Sequence, residues 1–165
     1  MRENIELLIK KLNKACLIYK KDFLNKDFLV IARKRKNTEI IEVNFRKEHF
    51  MHLVGIKGMK ANDFFEKISL NILSVNELNK LKKNPYINQK LNSFPKLRRL
   101  FEEEPYLYNF HPHSTTKVEL DKIIANINRE IKKELIGLKF LKTLSKKSYI
   151  PASIEDRKAS EITAE

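Results

Sequence analysis

FLVIARKRKNTEIIEVNF, at residues 28–45, contains two β-rich segments on either side of a run of charge. Residues 28–32 are apolar, and Ile41, Val43 and Phe45 then alternate with polar residues, the pattern of a strand with one buried face. Residues 33–38 lie between the two segments and are basic or polar, which is typical of an exposed turn. The stretch therefore predicts a β-hairpin whose basic tip either contacts phosphate or remains a solvated turn.

The segments on both sides of the hairpin predict helices. Before it, apolar residues recur every three or four positions, which predicts an amphipathic helix of about five turns with lysines on its outer face. After it, residues 46–58 predict a loop with a short helical turn, and residues 61–72 predict a second helix. Ser74 and Glu77 form a capping-box pattern that opens a third helix, and Ser93 is expected to cap a fourth with Pro95 in its first turn.

The last third of the chain fits two interpretations. Apolar residues between positions 120 and 138 have the spacing of one long helix, whereas residues 136–141 and 148–151 resemble two strands around a turn that contains consecutive lysines. Periodicity alone leaves both interpretations open. From Glu155 onward the chain is polar and charged. We therefore expect a single domain at residues 1–154 and a frayed tail at residues 155–165.

Composition excludes several classes of protein. A length of 165 residues suits one domain, and 42% hydrophobic residues suffice for a packed core. The longest apolar run, residues 28–32, is too short to span a bilayer, and the acidic N-terminus lacks the pattern of a signal peptide. The single cysteine, Cys16, cannot form an internal disulfide. We expect a cytoplasmic protein without a membrane partner, a metal site or a cofactor.

The formal charge of +13 is distributed unevenly. Residues 1–60 carry a net +8, residues 61–110 carry +2, residues 111–150 carry +5 and residues 151–165 carry −2. Neutralising phosphates releases condensed counterions, so such a surface favours a nucleic-acid partner. A genome that uses lysine and asparagine freely would give a similar composition without that partner.

Several segments resemble a known family. NFRKEHFMHLVGI (residues 44–56), followed by ANDFFEKI (residues 61–68), resembles the core motif F-x-K-E-x-F-x-H-L-x-G-[IL]…A-x-x-F-[FY] of phage-encoded nucleases. Residues 116–126, residues 138–140 and the segment YIPAS at residues 149–153 resemble three later family motifs. This family is the fourth phage-type group of the barnase, EndoU, colicin and RelE-like superfamily. The resemblance covers residues 27–155 and favours strands in the last third.

The resemblance implies an α+β fold, with an N-terminal helix and β-hairpin, a helical middle and a C-terminal antiparallel β-meander. It also implies a metal-independent endoribonuclease of phage or mobile-element origin. Action as a toxin is one role that the resemblance leaves open for such an enzyme. In this chemistry the 2′-OH of the RNA attacks phosphorus and leaves a cyclic phosphate. Such a reaction needs a base, an acid and cations for the developing charge. RNA is then the expected partner, together with an antitoxin or a host protein.

His52 is the first candidate for proton transfer, because it lies in the best-matching motif and close to Gly55 and Gly58. A structural role in holding its loop is the alternative. His49, three residues earlier, is a weaker candidate because its position in the motif varies. We also assign catalytic roles to Lys122, for which a solvated surface lysine is the alternative, and to Ser153 as a hydrogen-bond donor to a phosphate oxygen. The expected nucleic-acid contacts, each with an ordinary surface residue as its alternative, are Arg46, Lys47, Lys57, His111, His113, Thr116 and Lys117.

Two other functions fit the sequence. A nucleic-acid-binding module that has lost its chemistry is one, because Ala125 replaces the glycine of the family motif and no carboxylate stands out as a base. A phage protein that binds and blocks a host factor through its basic face is the other. Salt-sensitive binding to RNA that stays intact would indicate the first. Capture of a partner from nuclease-treated lysate would indicate the second.

Overall fold

A computed structural model describes residues 2–102, 106–109, 122–127, 135–142 and 148–157. It confirms an α+β protein with an N-terminal helix, a β-hairpin and a helical middle. In chain order the described elements are α1 (Arg2–Asp22), β1 (Asp27–Lys34), β2 (Asn37–Asn44), α2 (Lys47–Val54), β3 (Ile56–Lys57), α3 (Ala61–Ser69), α4 (Val75–Lys80), β4 (Lys82–Lys83), α5 (Ile87–Leu97), α6 (Arg99–Glu102), β5 (Tyr106–Asn109), β6 (Lys122–Ile127), β7 (Leu135–Lys142) and β8 (Tyr149–Arg157).

Helix α1 is the amphipathic helix that the apolar spacing predicts. Leu8, Leu12, Cys16 and Tyr19 are buried along one face. The Tyr19 ring lies 5.3–6.3 Å, between ring centroids, from each of four phenylalanine rings. The first of them directly follows α1 and the other three come from later segments: Phe23, Phe45, Phe50 and Phe65. Its hydroxyl donates a hydrogen bond of 2.6 Å to the carbonyl of Arg46. This one side chain therefore fixes α1 against the start of α2.

The predicted hairpin is confirmed. Strands β1 and β2 pair antiparallel from Asp27 opposite Asn44 to Lys34 opposite Asn37, which leaves the basic residues Arg35 and Lys36 in the turn. Arg35 has a positive φ of 55°, as tight turns require. Ile41 and Val43 are buried, whereas Ile40 on the alternate face is exposed. The alternation of apolar and polar residues in the sequence therefore identifies the side of the hairpin that faces the core.

The prediction of a loop with a short helical turn at residues 46–58 was wrong, because α2 is a helix of about two turns. The N-cap residue is Arg46 rather than Ser, Thr, Asp or Asn, so the usual sign of a helix start is missing at this position. The backbone N–H of Arg46 instead donates to Nδ1 of His49 at 3.0 Å. Phe50, Leu53 and Val54 are almost fully buried, and this burial stabilises the helix in the folded protein.

Helices α3 and α4 confirm the next two predictions, although α3 ends at Ser69 rather than near residue 72. The capping box before α4 forms as expected: the Glu77 N–H donates to Ser74 Oγ at 3.1 Å, and the Ser74 N–H donates to the Glu77 carboxylate at 2.9 Å. The hydrogen-bonded ion pair with Lys67, and then the bonds that the Ser74 N–H and hydroxyl donate to the carboxylate, lower the pKa of Glu77 to about 2.

Ser93 does not cap a helix, and that prediction was wrong. Ser93 and Pro95 both lie inside α5, which starts six residues earlier than Ser93. The Ser93 hydroxyl donates to the Gln89 carbonyl one turn back, at 2.9 Å. Core packing explains the difference, because the side chains that α5 buries begin at Ile87 and continue to Leu97. Pro95 lacks an N–H group, and the helix ends two residues after it.

Among the described strands, six form one sheet that includes the hairpin, in the order β1-β2-β8-β7-β6-β5. Strand β8 joins β2 in parallel, with Tyr149 opposite Val43. Of the segment that fitted either a helix or strands, residues 122–127 and 135–142 are strands. Strand β8 continues to Arg157, into the segment predicted to be a tail. Within the described residues, no helix has both the length and the apolar composition needed to cross a bilayer.

Candidate functional site

His52 lies in the last turn of α2, with an exposed side chain. Its carbonyl accepts the N–H of Gly55 at 3.1 Å, and Gly55 ends the helix in the left-handed conformation, at φ +81°. Among the residues that the structure describes, none hydrogen-bonds or ion-pairs with the His52 imidazole. The ring is therefore accessible to a substrate.

His49 has a structural role in the same helix. It is 7% exposed, and Nδ1 accepts the N–H of Arg46, which requires an unprotonated nitrogen. Burial lowers the pKa of His49, and the charges of Arg46 and His52 act in the same direction against the opposing effect of Glu48. The neutral imidazole thus makes the reciprocal hydrogen bond of a capping box, in which the N3 side chain accepts the backbone N–H of the N-cap residue.

We expect the protein to lose stability as the pH falls through and below about 6.5, the ordinary pKa of histidine. His49 binds a proton more readily in the unfolded chain, so its contribution is complete above that pH and is lost as the pH falls through the lowered folded value. Urea unfolding of the wild type and of His49→Gln at several pH values between 7.5 and 5 measures this difference. Gln can accept the same N–H and does not titrate. Equal pH dependence in both proteins would contradict the assignment.

Gly55 brings α2 into contact with the chain after β4. The Asn84 N–H donates to the Gly55 carbonyl at 2.7 Å. A Cβ atom at position 55 would lie 2.7 Å from Cβ of Asn84 and 3.3 Å from Cδ of Lys90. The positive φ and the close approach both require glycine here. The aliphatic part of Lys90 consequently passes directly beside the end of α2.

Lys90 is a buried cation that sequence analysis missed. It lies on α5, is 8% exposed, and its Nζ donates to Ser153 Oγ at 2.8 Å and to the Ile154 carbonyl at 2.8 Å. A buried ammonium is costly unless its hydrogen bonds are made, which makes this arrangement a candidate for function. The signal in the sequence is a lysine three residues after Ile87 and four before Phe94, on the buried face of the helix.

Ser153 follows an irregularity in β8. Opposite β7, Ser153 pairs with Lys139 and Pro151 pairs with Phe140, so Ala152 has no partner in the register. Bulges of this kind redirect side chains and accommodate proline, which cannot donate to the ladder. Ser153 Oγ accepts from Lys90, and among the described residues its own proton has only a long contact of 3.4 Å, with the Ile154 carbonyl. The hydroxyl can therefore donate to a ligand.

The elements that carry these groups are packed together: α2 contacts β8 and α5, and α5 contacts β8. His52, Lys90 and Ser153 thus lie on three mutually contacting elements. Only Lys90 and Ser153 are joined by a hydrogen bond in the described part of the chain. A proton-transfer group, a cation and a hydroxyl donor are the groups that phosphodiester cleavage needs.

The predicted nucleic-acid contacts differ in their surroundings. Arg46 donates to Asp27 at 2.8 Å and to the Phe45 carbonyl at 2.8 Å, and Lys47 pairs with Glu66. Hydrogen bonds from Asn44 and then from Arg46 lower the pKa of Asp27. Lys57 is exposed on β3. Lys122, which was predicted as a catalytic residue, is the first residue of β6. Four predicted residues lie outside the described part of the chain: His111, His113, Thr116 and Lys117.

Comparison with known families tests the resemblance. Residues 11–164 match the family described as phage-Barnase-EndoU-ColicinE5/D-RelE like nuclease4. The chain belongs to this family. No curated protein and no solved structure matches it. Membership makes the protein a nuclease of the phage-Barnase-EndoU-ColicinE5/D-RelE like type, with nucleic acid as the implied substrate. The match includes α2, α5 and β8, and with them His52, Lys90 and Ser153.

Proposed function

We propose that the protein is a metal-independent endoribonuclease and that α2, α5 and β8 form its active site. The observation that carries the proposal is the contact between the buried Lys90 ammonium and the Ser153 hydroxyl, within a chain that belongs to a nuclease family. The contact gives a phosphate group a fixed positive charge and a hydroxyl donor. The net charge of +13 supports a polyanionic substrate.

In the proposed reaction the 2′-oxygen of the RNA forms a bond to phosphorus, and the bond from phosphorus to the 5′-oxygen breaks. His52 takes the 2′-OH proton or supplies the proton to the leaving 5′-oxygen, because imidazole exchanges protons near neutral pH. Lys90, Ser153 and Lys122 stabilise the negative charge on the phosphate oxygens. We assign the second proton transfer to His111 or His113, because an imidazole can exchange a proton near neutral pH.

We further propose that the strands after α6 form the antiparallel meander expected for the family. Basic residues within 111–150, where the net charge is +5, would then form one wall of an RNA groove. Basic residues within 1–60, where the net charge is +8, would form the other wall. Arg46, Lys47, Thr116 and Lys117 belong to these walls in the proposal. Uncontrolled RNA cleavage stops cell growth, so the same activity would make the protein a toxin that needs an antitoxin.

Incubation of purified protein with total RNA and tRNA in EDTA, followed by end mapping, tests the function. We expect cleavage without added metal, with 2′,3′-cyclic phosphate and 5′-hydroxyl ends. An oligonucleotide with one 2′-deoxy residue at the mapped position is the matched control and should stay intact there, because it lacks the nucleophile. Cleavage that requires Mg²⁺ or cuts the 2′-deoxy control would contradict the mechanism. Tight, salt-sensitive binding without cleavage would instead support a binding module.

A further inference from the structure

The short strands β3 and β4 form a two-stranded ribbon with two lysines facing solvent. Lys57 pairs with Lys82, and Ile56 pairs with Lys83. Directly opposite residues project to the same side of an antiparallel pair. Ile56 is fully buried, while Lys57 and Lys82 are both exposed. One side of the ribbon is therefore packed on the core through Ile56, and the other side carries the two adjacent ammonium groups of Lys57 and Lys82.

No carboxylate in the part of the chain that the structure describes neutralises this pair. Within the described ranges, neither Lys57 nor Lys82 makes an ion pair or a side-chain hydrogen bond, although four other cations there are paired with carboxylates: Arg46, Lys47, Lys67 and Arg98. The neighbouring Lys83 differs, because its Nζ donates to the carbonyls of Leu78 and Leu81 at the end of α4. Like charges placed directly opposite each other are unfavourable in a sheet, and an anion between them relieves the repulsion.

The ribbon starts at the candidate active site. Strand β3 follows Gly55, and β4 is followed by Asn84, whose N–H donates to the Gly55 carbonyl at 2.7 Å. The Lys90 side chain passes beside Gly55 on its way to Ser153. Lys57 is two residues further along the strand, roughly 7 Å at the usual rise. A nucleic-acid backbone bound at Lys90 and Ser153 can therefore continue along the ribbon.

We propose that Lys57 and Lys82 bind backbone phosphate of the RNA next to the cleaved phosphodiester. The substrate is then an RNA strand that extends beyond the scissile bond, because a dinucleotide has no phosphate for the ribbon. The position of the scissile phosphate rests on the proposed function. The two lysines contribute binding of the strand and take no part in the chemical step.

The test compares the double variant Lys57→Gln/Lys82→Gln with Lys96→Gln/Arg99→Gln, which removes the same charge from exposed positions on α5 and α6. Binding of a fluorescent oligonucleotide of about 12 nucleotides, 2′-deoxy throughout and therefore uncleavable, is measured over a salt series. We expect the ribbon variant to bind about tenfold more weakly and to lose about 1.4 from the slope of log K against log salt, about 0.7 for each single-strand phosphate contact. The control pair should keep the wild-type slope.

Cleavage provides the second measurement. For an RNA of about 12 nucleotides the ribbon variant should have an increased KM and an unchanged kcat, and it should cleave a dinucleotide as the wild type does. The proposal would be overturned if the ribbon variant kept wild-type binding and salt slope, or if both variants lost binding equally. It would also be overturned if the ribbon variant, compared with the wild type, lost as much cleavage on the dinucleotide as on the longer RNA. A wild-type protein that does not bind the oligonucleotide would overturn it as well. If the nuclease proposal alone fails, no RNA is cut but the difference in binding between the two variants remains.

Discussion

Replacement of Lys90 by Met is expected to lower RNA cleavage by about two to three orders of magnitude, because it removes a fixed charge at the proposed phosphate site. Met has a similar length and keeps the contact with Gly55. The Ile154 carbonyl and Ser153 Oγ lose a donor, which should cost about 1–3 kcal/mol of folding stability. Initial rates on a labelled RNA, together with thermal unfolding of the same samples, separate the two effects.

Lys96→Met is the matched control, because Lys96 is exposed on the same helix and should keep wild-type activity and stability. Ser153→Ala completes a double-mutant cycle with Lys90→Met. If the two groups act as a pair, the double variant should lose less than the sum of the two single losses in activation free energy. Wild-type cleavage by Lys90→Met would remove this contact from the mechanism.

The second large effect is expected for His52→Ala. Loss of a proton-transfer group lowers rates by about 10²–10⁴, and Ala suits an exposed position in α2. We therefore expect cleavage to fall by at least two orders of magnitude, with a melting temperature within a few degrees of the wild type. Single-turnover rates on an RNA oligonucleotide, measured across pH, report the chemical step directly.

His49→Ala provides the contrast on the same helix. It removes the acceptor for the Arg46 N–H, so we expect a loss of about 0.5–2 kcal/mol in stability and near wild-type chemistry under conditions where the variant is folded. The opposite result, with His52→Ala active and His49→Ala folded but inactive, would exchange the roles of the two histidines.

The predictions from sequence succeeded where local patterns and core packing agree. The spacing of Leu8, Leu12 and Tyr19 identified α1, and the alternation at Ile41 and Val43 identified β2, because the buried face repeats with the period of the element. Ser74 formed the predicted capping box because both of its hydrogen bonds are made within four residues of chain.

The predictions that failed concern elements whose limits depend on contacts between residues far apart in the chain. Ser93 lies two residues before Pro95, as a helix cap often does. Ile87 and Leu91 are buried, however, so α5 begins before Ser93 and includes it. Helix α2 has no conventional cap, and its start depends on a histidine whose burial against the core keeps it neutral. Neither fact can be read from a short window of sequence, because both depend on which elements pack together.

The sequence by itself determined the α+β class, the basic charge, the nuclease family and His52 as a candidate, since these depend on composition, short periods and contiguous motifs. Only the tertiary structure brought Lys90 of α5 to Ser153 of β8, 63 positions away along the chain. It likewise showed that Arg46 and Lys47 pair with Asp27 and Glu66, while Lys57 and Lys82 face each other across β3 and β4. The physical reason is that hydrogen bonds and charge pairs act over a few ångströms in space, and chain folding decides which side chains come within that distance.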